Sequence, residues 1–241
     1  MDVMEWNDAG GMQMTGNGGP RGLDPPYDAS NAQGDGGPRR LDPPYVGVDR
    51  RGWFGGKRMS NYRRYRVAGG TYFFTLVTHE RRPLFADELG RKCLRDAIHA
   101  EQVKRPFELF AVVLLPEHLH CVWNLPSGDD SYSLRWAKIK EEFTRSYLKA
   151  GGGEGESSAS RRKHRERAVW QRRFWEHTVE DEDDLKRCVD YIHWNPVKHG
   201  LVNRVRDWEW SSFHRFVELG EYPLDWGRVN PCEGYDEPEW E

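Results

Sequence analysis

One segment in the middle of the chain limits the possible folds more than any other, because it has the pattern of two neighbouring strands. Glu108–Leu115 (ELFAVVLL) is an almost continuous apolar run, which is typical of a strand buried on both faces. Pro116 and Glu117 interrupt this run. In the next residues, His118–Leu125 (HLHCVWNL), every second residue is apolar, as expected for a strand with one face in the core. The pattern predicts a β-hairpin whose return strand begins at the histidines.

Four polar residues on two segments could meet at one site. Side chains at i and i+2 of a strand share a face, so His118 and His120 can both face one cation while Leu119 packs inward. Side chains at i and i+4 of a helix share a face, so Tyr191 and Asn195 can both turn toward that cation. Each residue also fits an ordinary structural role, since histidines have many structural uses and a lone helical tyrosine is normally core. A nucleophilic phenol also needs a nearby cation or base to release its proton.

The remaining patterns alternate between strands and helices. We predict a strand from Gly69 (GGTYFFTLVTHE), helices at Asp87–Lys104 and Ser133–Ala150, a strand at Val169–Val179, a helix from Glu180–Asp184 to Asn195, and a last helix at Asp207–Leu219. Pro196 disfavours helical geometry at the residue before it, which sets the predicted end at Asn195. The order β-α-β-β-α-β followed by a helix predicts an α+β fold of the ferredoxin-like, split βαβ type, with an antiparallel sheet and helices on one face.

Composition divides the chain into three parts. Residues 1–58 are rich in Gly, Pro and Asp and contain a direct repeat, GGPRGLDPPY at Gly18–Tyr27 and GGPRRLDPPY at Gly36–Tyr45. Such a segment cannot offset its ordering entropy by burial, so we expect a disordered leader. Residues 59–220 form the predicted domain, and residues 221–241 form an acidic tail.

Charge and cysteine spacing narrow the function classes. The net charge of −3 combines a mildly basic domain, with 28 Lys and Arg against 24 Asp and Glu in residues 59–220, and the acidic tail. A basic domain is compatible with nucleic-acid binding. The four cysteines form no C-x-x-C pair, which argues against a disulfide framework or a thiolate zinc site. No apolar run approaches ~20 residues, so we expect a cytoplasmic protein without a membrane partner.

Several segments together resemble a known family. VVLLPEHLHCVW, VWQRRFWEHTV, DLKRCVDYIHWNPVKHGLV and WEWSSFHRF closely resemble, in this order, the single-tyrosine HUH transposase superfamily and, within it, the REP-associated tyrosine transposases. The similarity runs from about Asn61 to Leu219 and leaves out both ends of the chain. Two features depart from the family pattern: Glu117 stands where the family often has Asn, and Gly151–Arg167 is longer than usual.

The resemblance implies an HUH endonuclease fold and a role for each site residue. His118 and His120 match the histidine pair, Tyr191 matches the nucleophile, and Asn195 falls at the third metal ligand. The implied cofactor is a divalent metal, Mg²⁺ or Mn²⁺, and the implied product is a 5′-phosphotyrosine beside a free 3′-hydroxyl. The implied substrate is single-stranded or hairpin DNA, such as repetitive extragenic palindromes, which would associate the protein with the nucleoid.

Basic and polar residues outside this site are candidates for DNA contacts. Their positive charge suits phosphate binding, although a solvated charged face explains such runs equally well. The candidates are Asn61, Tyr62, Arg63, Arg64, Arg66, Arg161, Arg162 and Lys163. The sequence does not fix the DNA sequence recognised, the oligomeric state, or whether the protein moves its own gene or acts on dispersed repeats.

Two other functions compete with transposition. A catalytically silent DNA-binding protein of the same fold is disfavoured, because His118, His120, Tyr191 and Asn195 are all present. A zinc-dependent hydrolase would use the two histidines with a carboxylate such as Glu117 or Glu176. That enzyme would form no covalent link to DNA, so trapping a protein–DNA adduct separates the two.

Overall fold

The structure, a computed structural model, describes residues 3–6, 12–15 and 66–231. The strands are β1 Val3–Trp6, β2 Met12–Thr15, β3 Thr71–Val77, β4 Glu108–Leu114, β5 His118–Asn124 and β6 Trp175–Thr178. The helices are α1 Glu88–Lys104, α2 Tyr132–Lys149, α3 Ala159–Lys163, α4 Glu182–Lys198 and α5 Phe213–Glu218. Short 3-10 turns lie at His79–Arg81 and Val205–Asp207.

Strands β3 to β6 form one antiparallel sheet in the order β4-β5-β3-β6. Strand β5 lies inside the sheet, with β3 on one side and β4 on the other, and His118 lies opposite Val77 of β3. Helix α1 connects β3 to β4, and α2 lies between β5 and β6 along the chain. This topology confirms the predicted α+β, ferredoxin-like fold with its split βαβ order.

One face of the sheet is closed by α1 and α2 with large aromatic side chains. Phe74 and Trp123 point to this face, and Trp123 stacks on Trp136 of α2 with ring centroids 4.0 Å apart. Asp87 starts α1 as its N-cap by accepting a hydrogen bond from the Gly90 N–H at 2.8 Å. A large apolar side chain buried in this way contributes roughly 1.5–3 kcal/mol, so this face is a main source of stability.

The opposite face of the sheet is covered by α4 and α5. Phe73 and Val122 of the sheet pack with Val189 and Ile192 of α4 in a second apolar cluster. The prediction of helices on one face therefore holds for α1 and α2, which belong to the split βαβ units. Helix α4 adds a layer on the other side, and this is the layer that carries Tyr191.

The edge strand β6 is shorter than the sequence predicted, Trp175–Thr178 in place of Val169–Val179. Val169 and Trp170 are buried with the α1 and α2 cluster. Trp170 forms only an isolated bridge, to Thr78 just after β3. The apolar character of Val169 and Trp170 therefore reflects packing in the core. A sequence pattern does not distinguish such packing from pairing in a sheet.

Helix α4 continues past its predicted end at Asn195, through Pro196, to Lys198. Pro196 lacks an N–H and disfavours helical geometry before it, but the buried face of α4 against the sheet outweighs that preference. The helix closes at Gly200, whose φ of +67° suits glycine, and the Leu201 N–H donates to the Pro196 carbonyl at 2.9 Å.

Within the leader predicted to be disordered, the structure describes β1 and β2, which pair antiparallel from Val3 opposite Thr15 to Trp6 opposite Met12. A two-stranded pair alone is marginally stable in water. The rest of residues 1–58, including both copies of the repeat, lies outside the described residues, and its disorder stays a prediction.

At the other end, the fold continues past the predicted boundary at residue 220. Tyr222 and Trp226 stack with ring centroids 4.5 Å apart, and Trp226 also packs against Phe213 of α5 at 6.0 Å. Residues 232–241, the rest of the predicted acidic tail, lie outside the described residues. Within the described ranges, no helix is long and apolar enough to cross a membrane.

Candidate active site

Two histidines lie on the face of the sheet that α4 covers. The turn at Pro116 and Glu117 starts β5 so that His118 and His120 point to this face while Leu119 packs toward α1 and α2. The imidazole rings lie 4.9 Å apart between centroids and nearly perpendicular, at 83°. His118 is 2% exposed and His120 is fully buried. Strand alternation therefore predicted the shared face correctly.

Each of these rings is fixed through its Nδ1 atom. His118 Nδ1 lies 2.9 Å from a carboxylate oxygen of Glu117, and His120 Nδ1 lies 2.8 Å from the Thr75 hydroxyl. The hydrogen bond from His118 is the main reason why the pKa of Glu117 lies below its usual range. In both rings, Nε2 is then the nitrogen that can face a cation, as in metal sites whose histidines are oriented by outer partners.

Tyr191 of α4 lies beside the histidines. Its ring centroid is 5.3 Å from that of His120 and 6.0 Å from that of Phe73, which meets it edge-on. The Lys198 ammonium lies 5.1 Å from the centre of the Tyr191 ring. The tyrosine is 9% exposed. The structure therefore brings a phenol, an imidazole and a cationic side chain to one place.

Asn195 lies between two contacts that tie α4 to β5. At one end Tyr191 meets His120, and at the other the His199 ring lies 5.2 Å from the His118 ring. Asn195 is one helical turn from each of Tyr191 and His199 and is fully buried. Its amide is therefore on the helix face that looks toward the two histidines, as the spacing predicted.

The chemistry of these side chains fits a divalent cation. Two imidazole nitrogens and an amide oxygen are ordinary ligands for such ions, with the oxygen favouring harder metals such as Mn²⁺ and Mg²⁺. His118, His120 and Asn195 are all buried, and the two histidines have outer hydrogen-bond partners. By their chemistry, these three residues could hold a divalent metal ion.

Two other histidines, His193 within α4 and His199 at its end, lie on different faces of the helix. His199 and Lys198 lie eight and seven residues after Tyr191, on the same helix face, and that spacing could have identified Lys198 in the sequence. His193 points away, fully buried, with Nε2 2.8 Å from the Ser212 hydroxyl. Burial lowers the pKa of His193 to about 3, so it is neutral and supports the packing of α4.

The residues predicted to contact DNA differ in their positions in the structure. Asn61, Tyr62, Arg63 and Arg64 lie outside the described residues, and Arg66 is exposed. Arg161 is 8% exposed and donates to the backbone carbonyls of Arg167 and Trp170. Arg161 therefore stabilises its own loop, and the prediction of a phosphate contact is kept for the exposed Arg162 and Lys163.

Neither carboxylate named for the competing zinc hydrolase completes a ligand set. Glu176 lies opposite Phe74 in the sheet and shares its face, away from His118 and His120. Glu117 bonds to Nδ1 of His118 and so lies behind that ring. The carboxylate required for this alternative is missing on the histidine face among these candidates.

A second cluster of possible metal ligands, His177, Asp184 and Cys188, has atoms within 4.8 Å of one another. Asp184 already accepts hydrogen bonds from the Glu180 N–H at 3.0 Å and lies 2.7 Å from His177 Nε2. Burial raises the pKa of Cys188 to about 12, so its thiol is protonated. The Asp184 carboxylate is thus occupied by hydrogen bonds at the start of α4, whose N-cap is Asp181.

This chain is similar to several known proteins. The family model described as IS200-like transposase matches residues 66–195, which include all four candidate site residues. The REP-associated tyrosine transposase of Escherichia coli (strain K12) is 46% identical over 168 residues, covering 70% of this chain and 91% of that protein. A Haemophilus influenzae protein described as the same type is 44% identical over 169 residues, covering 70% and 94%.

A solved structure is similar to this chain in sequence and in fold. It is described as a REP-associated tyrosine transposase bound to a REP hairpin, and it is 45% identical with a TM-score of 0.59. The match covers 70% of this chain and 91% of that one.

Proposed function

Because the chain belongs to the IS200-like transposase family and, within it, to the REP-associated tyrosine transposases, we propose that Tyr191 is the nucleophile of its DNA strand transfer. The phenolic oxygen attacks the phosphorus of a phosphodiester, forming a P–O bond to Tyr191 while the bond to the 3′-oxygen breaks. The phenol loses its proton and the departing 3′-oxygen gains one. The products are a 5′-phosphotyrosine and a free 3′-hydroxyl, and attack by a 3′-hydroxyl on this linkage rejoins DNA without ATP.

The observation that carries this proposal is the position of the Tyr191 ring, 5.3 Å from the His120 ring. The Lys198 ammonium, 5.1 Å from the ring centre, adds a positive charge near the phenol, and a nearby cation favours release of the phenolic proton. Phe73 meets the ring edge-on and limits its rotation. A held phenol loses less entropy on reaching the attacking geometry, which favours the reaction.

We also propose that His118, His120 and Asn195 hold a divalent cation, Mg²⁺ or Mn²⁺. Such a cation, when bound, polarises the phosphate and offsets the negative charge that builds on its oxygens. The chain's own residues do the rest: Glu117 and Thr75 orient the two imidazoles, and Asn195 presents an amide from α4. Their burial keeps bulk water away from the phosphate.

The proposed substrate is single-stranded or hairpin DNA of the REP type. The solved relative is described as bound to a REP hairpin, which supports this choice for the present chain. Exposed Arg66, Arg162 and Lys163 can contact phosphates. A chromosomal substrate would place the protein in the cytoplasm, at the nucleoid.

Removing only the phenolic oxygen tests the proposal. In Tyr191→Phe, the covalent protein–DNA adduct should disappear, while DNA binding and stability change little because the ring still packs on Phe73. The measurement is a denaturing gel after incubation with end-labelled hairpin DNA and Mn²⁺, followed by peptide mass spectrometry of the wild-type adduct. Tyr147→Phe is the matched control, since Tyr147 is a buried tyrosine of α2 on the other side of the sheet.

The same gel separates the competing functions. A silent DNA-binding protein leaves the DNA uncut and without attached protein on this gel, although it still shifts the hairpin in a native gel, and a zinc hydrolase gives cleaved DNA without attached protein. Attachment of DNA to a residue other than Tyr191, or an undiminished adduct in the Phe variant, would overturn the assignment.

A further inference from the structure

A carboxylate contacts the first histidine of the site at the ring nitrogen Nδ1. Glu117 is half-buried in the turn before β5, and one of its oxygens lies 2.9 Å from Nδ1 of His118. The same oxygen lies 3.4 Å from the guanidinium of Arg81. The three side chains form a line from the surface, at Arg81, to the interior, at His118, whose side chain is 3% exposed.

The chemistry of this line fixes one property of His118. An ionised carboxylate can only accept hydrogen bonds, so the proton shared at 2.9 Å belongs to Nδ1 of the imidazole. A neutral ring with its proton on Nδ1 has its lone pair on Nε2. His120 differs, because its Nδ1 partner is the Thr75 hydroxyl, which can donate or accept. The carboxylate therefore fixes one of the two histidines more strictly than the other.

The backbone near Arg81 is arranged to bring this residue to Glu117. Glu80 and Arg81 have φ values of +55° and +49°, a left-handed conformation that non-glycine residues rarely adopt twice in succession. The adjoining Thr78 N–H donates to the backbone carbonyl of Glu117 at 2.9 Å, so the two turns are joined. Strained backbone persists where its surroundings hold it, and it often lies at functional sites.

We propose that Glu117 is a positioning residue that keeps His118 in the Nδ1–H form with Nε2 turned into the site, and that Arg81 holds the Glu117 carboxylate in place. This inference rests on the proposed function, because it assigns His118 as a ligand of the divalent cation.

The test uses the full chain without metal and then with Mn²⁺ alone. Two-dimensional ¹⁵N NMR of the histidine rings, assigned with a His118→Gln variant, should show His118 protonated on Nδ1 in the wild type. In Glu117→Ala, His118 should shift toward the Nε2–H form. Calorimetry should show Mn²⁺ binding about 10- to 100-fold weaker, the effect usual for loss of an outer partner of a metal-binding histidine.

Graded variants separate positioning from charge and from folding. Glu117→Gln keeps an acceptor oxygen, so it should retain the Nδ1–H form and lose less Mn²⁺ affinity than the Ala variant. Arg81→Gln should weaken binding by about fivefold or less, as expected for a partly exposed ion pair. Glu80→Gln is the matched control. It removes one negative charge next to Arg81 but breaks no bond to His118, so the Mn²⁺ affinity of this variant should equal that of the wild type.

The outcomes are distinct from those of the Tyr191 experiment. An unchanged His118 ring spectrum and unchanged Mn²⁺ affinity in folded Glu117→Ala overturn the positioning role. Equal losses in Glu117→Ala and Glu80→Gln also overturn it, because they indicate a general charge effect. If the wild type forms no adduct yet the ring spectra and affinities change as expected, the positioning role stands and the nucleophile assignment fails.

Discussion

The two faces of the sheet use the same strands for different purposes. Toward α1 and α2, Phe74 and Trp123 join Trp136 in an aromatic core. Toward α4, the same strands present His118 and His120. The first face has the stacked rings of Trp123 and Trp136, 4.0 Å apart, and the second has two perpendicular imidazoles 4.9 Å apart.

This difference explains how a small domain can bury polar side chains such as those of the two histidines. Buried polar groups cost free energy unless they are hydrogen-bonded, and imidazoles on a sheet face need partners. Glu117 and Thr75 supply those partners. The aromatic face supplies the stability that offsets the remaining cost. We therefore expect substitutions on the aromatic face to change folding, and substitutions on the histidine face to change metal binding and DNA cleavage.

The largest expected effect is on the aromatic face. Trp136→Ala removes a fully buried indole that stacks on Trp123, and such substitutions cost about 3–5 kcal/mol. The free energy of unfolding, measured by urea denaturation, should fall by that amount. The Mn²⁺ affinity of the remaining folded protein should not change. A stable variant with weakened Mn²⁺ binding would show that the two faces are not independent.

The next effect is a pH dependence that arises on the α4 side. Burial, followed by the charges of Arg215 and His214, lowers the pKa of His193 to about 3, below its unfolded value near 6.5. The unfolded chain then binds more protons as the pH falls below about 6.5, so stability present at pH 7 is progressively lost toward pH 3. Between pH 7 and 4.5 this one residue should contribute a loss of roughly 2–3 kcal/mol.

Denaturation at several pH values tests this assignment. His193→Gln cannot take up a proton and can still hydrogen-bond the Ser212 hydroxyl, so its stability should depend less on pH over the same range. The window above pH 4.5 avoids most of the titration of carboxylates such as Asp129, whose pKa is lowered to about 2 by its hydrogen bond to Arg135. An identical pH profile for the Gln variant would exclude His193 as the source.

How much the sequence predicted differs between the two faces. Alternation in HLHCVWNL predicted the histidine face, because a period of two is fixed by strand geometry. The spacing of Tyr191 and Asn195 predicted their shared face for the same kind of reason. The end of α4 was predicted wrongly, since the preference before Pro196 is local and the packing that overrides it is not.

Two other differences have the same origin. The apolar residues Val169 and Trp170 suit a strand or a packed loop equally, and only tertiary contacts decide. Arg161 stands in a basic run with Arg162 and Lys163, yet it alone is buried against backbone carbonyls. Composition shows the charge of a segment but does not show which side chain turns inward.

The third prediction concerns the histidine face. His118→Ala or His120→Ala should weaken Mn²⁺ binding by at least about tenfold while the protein stays folded, because one proposed ligand is lost and the aromatic face is unchanged. Calorimetry with Mn²⁺ and a melting curve measure the two effects separately. His99→Ala is the control, an exposed histidine of α1 on the other side of the sheet. Wild-type affinity in both site variants would refute the ligand assignment.

The smallest expected effect is that of deleting the leader. Deleting residues 1–58 should leave folding and adduct formation intact, because the two apolar clusters of the described chain begin at Tyr72 and Phe73. The melting temperature should move by less than about 4 °C, the shift that corresponds to roughly 1 kcal/mol in a domain of this size. A second deletion, ending at residue 65, also removes Asn61–Arg64 and should weaken DNA binding without a further change in melting temperature. A large fall in melting temperature after the first deletion would show that the leader packs on the domain, and that the two faces do not account for its stability alone.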